Sequence, residues 1–389
     1  MKILSANQSI GRQEGGTNER VYQMTRFLLN AGEEVTLLVI NGRASRRADI
    51  EPHVERHLVR VEPLNERFGI PRIGWRRLLP FVRNCDVIHL MNHWSVLNAL
   101  LYLAARQCSR PYVVCPAGSL RIYGRSKQLK RLYNFVIGSS IVRNAKAVIA
   151  IVPDEIPDIV SAGGSRERIV VVPNAIDPDD YRWRDAQGFR ARHRLENVPF
   201  ILFLGRLSPI KGPDLLVEAF GRAKGALDKY HLVLAGADDE HFWPTLRGIA
   251  GRHGVADRVH YIGLLGSREK SEALHEAEFL AIPSRHEAMS IVVLEAGAVG
   301  IPVLMTDRCG LGEVETVGGG KVVAASVEGL LSGLVDMTRC RDEFARMGDR
   351  LRKFCLERYS WPVVVESYRR LFHDIAAGKH SAEDAPAHS

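Results

Sequence analysis

The chain has 389 residues, 46% of them hydrophobic and 25% charged, which suits a globular protein of two domains rather than a disordered one. No apolar run approaches the length of a membrane span, and the N-terminus becomes polar too early for a signal peptide, so we expect a cytoplasmic protein. The formal net charge is +8, and the six cysteines are scattered without a C-x-x-C pair, which argues against a metal site or a disulfide framework.

The first predicted element is a strand over Lys2–Ala6, followed by a loop that contains Gly15 and Gly16. A helix is predicted to follow from about residue 18 to residue 30. Glycines in a strand-to-helix loop let backbone amides come close to a phosphate group. The loop has neither G-x-G-x-x-G nor the lysine motif of a P-loop, so the glycine pair is equally consistent with a simple turn.

Apolar runs predict further strands in the first half, at Val35–Ile40, Val87–Leu90, Tyr112–Cys115, Ala147–Ile151 and Ile169–Val172. The segment MNHWS follows Val87–Leu90 and places His93 at the carboxyl end of a strand, where open parallel sheets bind ligands. A histidine at that place can contact a substrate. A purely structural histidine is the other interpretation.

A basic amphipathic helix is predicted from Ser126 onward. Its apolar residues recur at helical spacing with basic residues beside them: Leu129, Leu132, Tyr133 and Val136 with Lys127, Lys130 and Arg131. Two interpretations are open. The apolar face packs on the sheet, or it lies on an anionic membrane surface.

The positive charge is confined to the first half of the chain. Residues 1–180 hold 25 Lys and Arg against 17 Asp and Glu, whereas residues 181–389 hold 28 of each. Such a surplus is typical of proteins that bind nucleic acid, an anionic membrane or an acidic ligand, and also of a solvated arginine-rich surface. Because aromatic residues do not alternate with the basic ones, and no helix-turn-helix or zinc-finger spacing occurs, we expect no nucleic-acid partner.

Turn-forming residues begin at VPNAIDPDDY, and we predict that residues 176–199 are a linker between domains. Asp177 and Asp179 have the D-x-D spacing of some metal sites. Pro178 lies between them and favours turn chemistry, so we predict no metal there.

The second half begins with a predicted strand at Phe200–Leu204, the loop GRLSPIKG and a helix from Pro213. Arg206 and Lys211 lie in this strand-to-helix loop. Arg206 can contact two phosphate oxygens at once, and Lys211 provides a compact charge. The pair is therefore suited to stabilising a diphosphate leaving group.

The segment PSRHEAMSIVVLEAGAVGIPVLMT predicts a strand end, a polar loop, a helix and the next strand. Ser290 is predicted to be the N-cap, so a helix begins where the loop ends. The free amides of such a helix start can bind phosphate. Glu287 precedes that end and Glu295 follows it, which suits a sugar nucleotide, although a solvated acid and a capping acid would give the same pattern.

Together, GRLSPIKG, HEAMSIVVLEA, the Gly-Gly loop and VPNAID resemble the retaining glycosyltransferases of the glycogen-synthase-like family over nearly the full length. The resemblance implies an α/β protein with two Rossmann-like domains facing across a cleft, the GT-B type. It places an acceptor-binding domain at 1–175, a nucleotide-sugar domain at 200–360, a helix returning to the first domain at 361–377 and a disordered tail at 378–389.

The same resemblance assigns roles to individual residues. Arg206 and Lys211 would bind the diphosphate, and Glu295 the ribose. Glu287, with the amides of Ala288, Met289 and Ser290, would bind the donor sugar and phosphate. Gly16 would let the first domain close on the diphosphate, with Gly15 as a further substrate-binding residue, and His93 would lie near the transferred sugar. The chemistry needs no cofactor, no metal and no protein nucleophile.

A narrower resemblance, in PAGSLRIYGRSKQLKRLYN and TDRCGLGEV, is to bacterial surface-polysaccharide mannosyl- and rhamnosyltransferases that use GDP-sugars. It implies transfer of a hexose, with GDP-mannose favoured, to a saccharide or lipid-linked acceptor in O-antigen or exopolysaccharide synthesis. Ala288 and Met289 depart from the family's usual glycines and leave the donor sugar open. A nucleotide-sugar epimerase and a non-catalytic basic protein that binds membrane or nucleic acid are the alternatives.

Overall fold

A computed structural model describes residues 1–10, 16–40, 50–65, 69–120, 127–196 and 198–379. The chain divides into two compact units. The first unit comprises Met1–Asn174 and the C-terminal segment from Trp361, and the second comprises Ala175–Ser360. Gly15 and residues 380–389 of the expected tail lie outside the described residues.

A parallel seven-stranded sheet forms the centre of the first unit, with strand order β3-β2-β1-β6-β7-β8-β9. A two-stranded antiparallel ribbon, β4 with β5, accompanies it. The strands are β1 (Lys2–Asn7), β2 (Glu34–Ile40), β3 (Leu58–Val61), β4 (Pro63–Asn65), β5 (Ile70–Pro71), β6 (Val87–Met91), β7 (Tyr112–Cys115), β8 (Ala147–Ala150) and β9 (Ile169–Val171). All strands of the large sheet run parallel, so the loops after β1, β6, β7 and β8 meet at one carboxyl edge.

Helices of the first unit are Gly16–Asn30, Pro52–Glu55, Trp75–Arg83, Val96–Gln107, Lys127–Tyr133, Ser139–Arg143, Ile156–Ser161 and Trp361–Ala376. The last of these, Trp361–Ala376, belongs to the first unit although residues 175–360 separate it from the rest of that unit. Trp361 stacks on Phe27 with ring centroids 5.9 Å apart, and Tyr368 and Phe372 contact His89 in β6. No helix among the described residues combines the length and the apolar composition that crossing a membrane requires.

Two groups of polar contacts hold this C-terminal helix in place. The buried Arg20 guanidinium donates to Tyr368 Oη, to Asn174 Oδ1 and to the Val172 carbonyl at 2.5 to 3.0 Å. Glu33, 6% exposed, accepts hydrogen bonds from Arg369 and His373, both at 3.0 Å. Burial alone would raise the pKa of Glu33, but hydrogen bonds from the Met1 amino group, His373 and Arg369 lower that pKa to about 2.

The helix Lys127–Tyr133 corrects one expectation from the sequence. Leu129, Leu132 and Val136 are 54%, 56% and 67% exposed, so the interpretation that this apolar face packs on the sheet is wrong. Tyr133 instead packs against the core on the opposite face. The helix continues as a π-turn at Asn134–Gly138.

The second unit contains a parallel six-stranded sheet with strand order β12-β11-β10-β13-β14-β15. Its strands are β10 (Phe200–Leu204), β11 (His231–Ala235), β12 (Val259–Tyr261), β13 (Phe279–Ile282), β14 (Val303–Thr306) and β15 (Gly320–Val323). Its helices are Ala186–His193, Pro213–Arg222, Trp243–Arg252, Ser267–Glu276, Ile291–Val299, Glu313–Thr316, Val327–Arg339 and Phe344–Tyr359. The strand order reverses between β10 and β13, and ligands bind at such switch points.

The segment expected as a linker, residues 176–199, lies within the second unit. It forms a 3-10 turn at Pro178–Tyr181 and the helix Ala186–His193, and Ile176 pairs with Ser360 in an isolated parallel bridge. Asp177 Oδ1 accepts a hydrogen bond from the Asp179 amide at 3.0 Å, so the D-x-D spacing forms a turn. Folded turns explain why this stretch is rich in Asp and Pro without being an open connection.

Candidate active site

Two loops at the switch point of the second sheet are held together by close packing and hydrogen bonds. The loop after β10 ends in Gly212, whose φ is +69° and where a Cβ would lie 2.1 Å from the Pro283 carbonyl oxygen. The loop after β13 contains Arg285, which donates to both carboxylate oxygens of Asp214 at 2.8 and 2.6 Å. The Arg285 amide also donates to the Ile210 carbonyl at 2.8 Å. The sequence motifs did not reveal this clasp between the loops.

The clasp brings Lys211 and Glu287 together. Lys211 Nζ lies 3.1 Å from Glu287 Oε2, and the other oxygen of Glu287 accepts a hydrogen bond from Ser284 Oγ. Arg206 is exposed at the start of the same loop. The predicted diphosphate site therefore contains an ammonium group held by a carboxylate. An incoming diphosphate would compete with that carboxylate for Lys211.

The helix Ile291–Val299 begins after Ser290, as predicted, but not through a side-chain cap. Ser290 Oγ makes no capping hydrogen bond, and the Ser290 amide donates to the Cys309 carbonyl at 2.9 Å. The expectation that this amide faces a phosphate is therefore wrong in this structure, because the loop after β14 has taken it. In the same way, the Glu287 amide donates to the Arg308 carbonyl oxygen at 2.8 Å. The roles of Ala288 and Met289 stay predictions.

Glu295 lies at the centre of a buried polar cluster. Its Oε1 accepts hydrogen bonds from Lys270 Nζ at 2.6 Å and from Tyr181 Oη at 2.8 Å. Glu295 is 4% exposed, and its Oε2 is buried without a hydrogen-bond partner among the described residues. An orphaned carboxylate oxygen is costly unless a ligand supplies a donor. A sugar diol is such a donor.

No motif in the sequence indicated either partner of Glu295. Tyr181 falls in the supposed linker, and Lys270 lies on the helix Ser267–Glu276, 25 positions before Glu295. Lys270 Nζ also lies 5.4 Å from the centre of the Tyr181 ring. Both side chains donate to Oε1, so Oε2 is the carboxylate oxygen that remains for a ligand.

His93, in the first unit, is held in one orientation. It follows β6, is 2% exposed, and its Nε2 lies 2.7 Å from Asn134 Oδ1. The rings of Trp94 and Tyr133 contact it edge-on at 4.6 and 5.6 Å between centroids. Burial lowers the pKa of His93, and the Asn134 hydrogen bond opposes that shift only in part.

The hydrogen bond to Asn134 decides what His93 can do. Since the amide oxygen of Asn134 is an acceptor, His93 Nε2 carries the proton and Nδ1 presents a lone pair. Nδ1 is buried and has no hydrogen-bond partner among the described residues. A neutral His93 can therefore accept a hydrogen bond from a hydroxyl group.

Gly16 is exposed at the first residue of the helix Gly16–Asn30, while Gly15 lies outside the described residues.

Within the described residues, no group of three or more His, Cys, Asp or Glu side chains is arranged to hold a metal ion.

Comparison with solved structures identifies the fold. Sucrose-phosphate synthase from Thermosynechococcus elongatus superposes with a TM-score of 0.78 at 20% identity, covering 97% of this chain and 100% of that chain. The two parallel-sheet α/β units therefore have the GT-B fold.

Family models identify the family. Residues 15–175 match the Glycosyl transferase 4-like domain, and residues 185–354 match Glycosyl transferases group 1. Both models are of glycosyltransferases and together match most of the chain, so the protein is a glycosyltransferase whose residues 185–354 belong to group 1.

Two curated relatives illustrate its neighbours. One is the GDP-mannose-dependent alpha-(1-6)-phosphatidylinositol monomannoside mannosyltransferase of Mycobacterium tuberculosis, 29% identical over 63% of this chain and 69% of that protein. Another is the D-inositol 3-phosphate glycosyltransferase of Xylanimonas cellulosilytica, 27% identical over 76% of each chain.

Proposed function

We propose that this protein is a retaining, metal-independent hexosyltransferase. It moves a hexose from a nucleotide diphosphate sugar, with GDP-mannose favoured, to a saccharide or lipid-linked saccharide acceptor in surface-polysaccharide synthesis at the inner face of the membrane. The observation that carries the proposal is the pairing of Lys211 with Glu287 at 3.1 Å, at the switch point of the second sheet. A cation at that place can exchange its carboxylate for the charge of a leaving diphosphate.

Different residues bind different parts of the donor. Lys211 and Arg206 neutralise the diphosphate as its bond to the sugar breaks. Glu295 Oε2 accepts from the ribose diol, in the orientation that Lys270 and Tyr181 impose. Glu287 sits beside the sugar end of the diphosphate.

The reaction then needs no nucleophile from the protein. The acceptor hydroxyl attacks the anomeric carbon on the face that the diphosphate leaves, and a phosphate oxygen takes the hydroxyl proton. Configuration at the anomeric carbon is retained. The protein contributes positioning and charge, and neutral His93 accepts a hydrogen bond from a hydroxyl of the transferred sugar.

The names of two relatives support the finer assignments. The mycobacterial relative is named for GDP-mannose and for a lipid acceptor, and the Xylanimonas relative for an inositol phosphate acceptor. These names favour GDP-mannose as the donor and an acceptor that carries a polar, phosphate-bearing head group.

A nucleotide screen tests the donor site. We would measure the melting temperature with GDP, UDP, ADP and dTDP, because a ligand that binds only the folded state stabilises it by about 2.7 kcal/mol at a hundred times its Kd. Stabilisation by GDP is expected in the wild type and should be lost in Glu295→Ala. The matched control is Glu357→Ala, an exposed acid on the helix Phe344–Tyr359. The absence of any response to all four nucleotides would overturn the proposal.

Product analysis tests the reaction. With the donor that the screen identifies and a saccharide acceptor, the product should keep the donor's anomeric configuration by NMR, and EDTA should leave the rate unchanged. Inversion, or loss of activity in EDTA, would refute the corresponding part of the mechanism. Release of free sugar or an epimer without acceptor would indicate an epimerase instead.

A further inference from the structure

Residues 127–138 form a helical segment with two unlike faces. The inner face consists of Lys130, Tyr133, Asn134 and Ile137, which recur at helical spacing. Tyr133 and Ile137 pack against the core of the first unit, and Lys130 Nζ lies 5.5 Å from the Trp94 ring. This face is occupied by the protein itself.

The absence of a side chain at Gly138 lets the inner face pack closely. Gly138 is buried, and a Cβ there would lie 2.6 Å from Asn134 Oδ1 and 2.8 Å from the Tyr133 ring. The π-turn over Asn134–Gly138 thus sets Asn134 against His93. Single π-turns within helices are frequent at functional sites.

The outer face is apolar and exposed. Leu129, Leu132, Phe135 and Val136 are 54%, 56%, 90% and 67% exposed, and they fall within eight residues of one another. Single exposed apolar side chains are ordinary, but a contiguous group of large ones marks an interaction site. We call these four residues the 129–136 surface.

The stretch of sequence that contains the 129–136 surface carries charge of one sign. Lys127 and Arg131 lie on the same helix and are exposed. The surrounding stretch of sequence, residues 87–153, contains nine Lys or Arg and no Asp or Glu. A protein partner of mixed charge gives no reason for the absence of Asp and Glu from this stretch. An anionic surface does, because it would repel their side chains.

We propose that the 129–136 surface docks on an anionic lipid bilayer, with the four apolar side chains entering the interface and Lys127 and Arg131 contacting lipid phosphates. An interfacial helix with apolar residues on one side and basic residues beside them binds in this manner. The inference rests on the proposed function in that it gives a lipid-linked acceptor a place to lie. The inner face of the same segment holds His93, so the bilayer contact and the sugar-transfer chemistry share one structural element.

Vesicle flotation of the full chain, without donor or acceptor, tests the proposal. The probes are vesicles of phosphatidylcholine alone and of phosphatidylcholine with 30% phosphatidylglycerol. The test variants are Leu132→Ser with Phe135→Ser, and Lys127→Gln with Arg131→Gln. The matched controls are Leu64→Ser, which alters another exposed leucine of the first unit, and Lys146→Gln with Arg166→Gln, which removes two other exposed charges.

The wild type and both controls should float with the anionic vesicles and not with the neutral ones. Removal of two basic residues near the surface should weaken binding by about 30-fold in low salt, and the apolar double variant should stay at the bottom of the gradient. Unchanged melting temperatures would show that every variant folds.

Three results would overturn the proposal: no flotation of the wild type, equal binding to neutral vesicles, or binding that the two test variants leave unchanged. A concentration-dependent dimer that Phe135→Ser abolishes would assign the surface to a second copy of the chain and also refute it. Because the assay uses no nucleotide, a protein that floats but transfers no sugar would contradict the proposed function and leave the docking surface standing.

Discussion

Lys211 is the residue whose removal tests the donor site most directly. Its Nζ lies 3.1 Å from Glu287 Oε2, and the two side chains are 26% and 11% exposed. At an effective dielectric constant near 20, unit charges at that distance attract each other by about 5 kcal/mol before desolvation is counted. A diphosphate carries more charge than one carboxylate, so Lys211 should favour the leaving group as its bond to the sugar breaks.

We expect Lys211→Met, which keeps the side-chain length and removes the charge, to lower kcat by about 10²- to 10³-fold, the loss typical of removing one preorganised electrostatic group. The fold should persist, since a partly exposed ion pair contributes on the order of 1 kcal/mol to stability. Initial rates with radiolabelled donor and the melting temperature would be measured in parallel. Lys353→Met, at an exposed position on the helix Phe344–Tyr359, is the control.

A kcat within threefold of the wild type would refute the role of Lys211 in stabilising the leaving group. A variant that loses activity only together with its melting transition would assign the Lys211–Glu287 pair to stability instead.

Three further predictions concern buried polar contacts. Lys270→Met should weaken binding of the nucleotide by about tenfold in calorimetry, because Glu295 loses one of its two orienting donors; an unchanged Kd would show that Lys270 has no part in the site. Asn134→Asp should raise the pKa of His93, because a carboxylate stabilises the protonated ring. At acidic pH kcat/KM of this variant should then fall, since a protonated His93 cannot accept a hydrogen bond at Nδ1. A flat pH profile like that of the wild type would contradict the tautomer inferred here. Glu33, whose folded pKa of about 2 lies below its ordinary 4.5, contributes stability above pH 4.5 that is lost as the pH falls toward 2, so Glu33→Gln should cost roughly 3 kcal/mol in urea unfolding at pH 7 and much less at pH 3. Equal costs at the two pH values would refute that account.

Apolar runs predicted most of the sheet strands, because a parallel sheet covered on both faces needs continuous apolar sequence. β7 and β10 have the predicted bounds. Two strands at sheet edges were missed. β3 contains Arg60, and β15 begins at Gly320, where a Cβ would lie 2.2 Å from the Val303 carbonyl oxygen. Neither a charge nor a glycine signals a strand in the sequence.

The site could be predicted only as far as its motifs extend. Local patterns pointed to Lys211, Glu287 and Glu295. They could not pair Glu295 with Tyr181 or Lys270, since those contacts form only when separate segments fold together.

Two other features of the site follow from tertiary structure alone. From the local sequence, the Ser290 amide is expected to be free at a helix N-terminus. In the fold it donates to the Cys309 carbonyl of the neighbouring loop. The helical periodicity at Leu129 and Leu132 was correct, but periodicity does not say which face of an amphipathic helix the protein covers.

The Arg20 cluster has a consequence for the order in which the chain folds. Arg20 binds Asn174, the last residue of the first unit before the chain leaves it, and Tyr368, on the helix that brings the chain back. During synthesis the ribosome releases residues 175–360 between these two partners. The second unit is therefore complete in sequence while the first still lacks Trp361–Ala376, whose Trp361 and Tyr368 are 1% and 0% exposed in the finished protein. The N-terminal unit, usually the first to fold on a growing chain, is here the last to close.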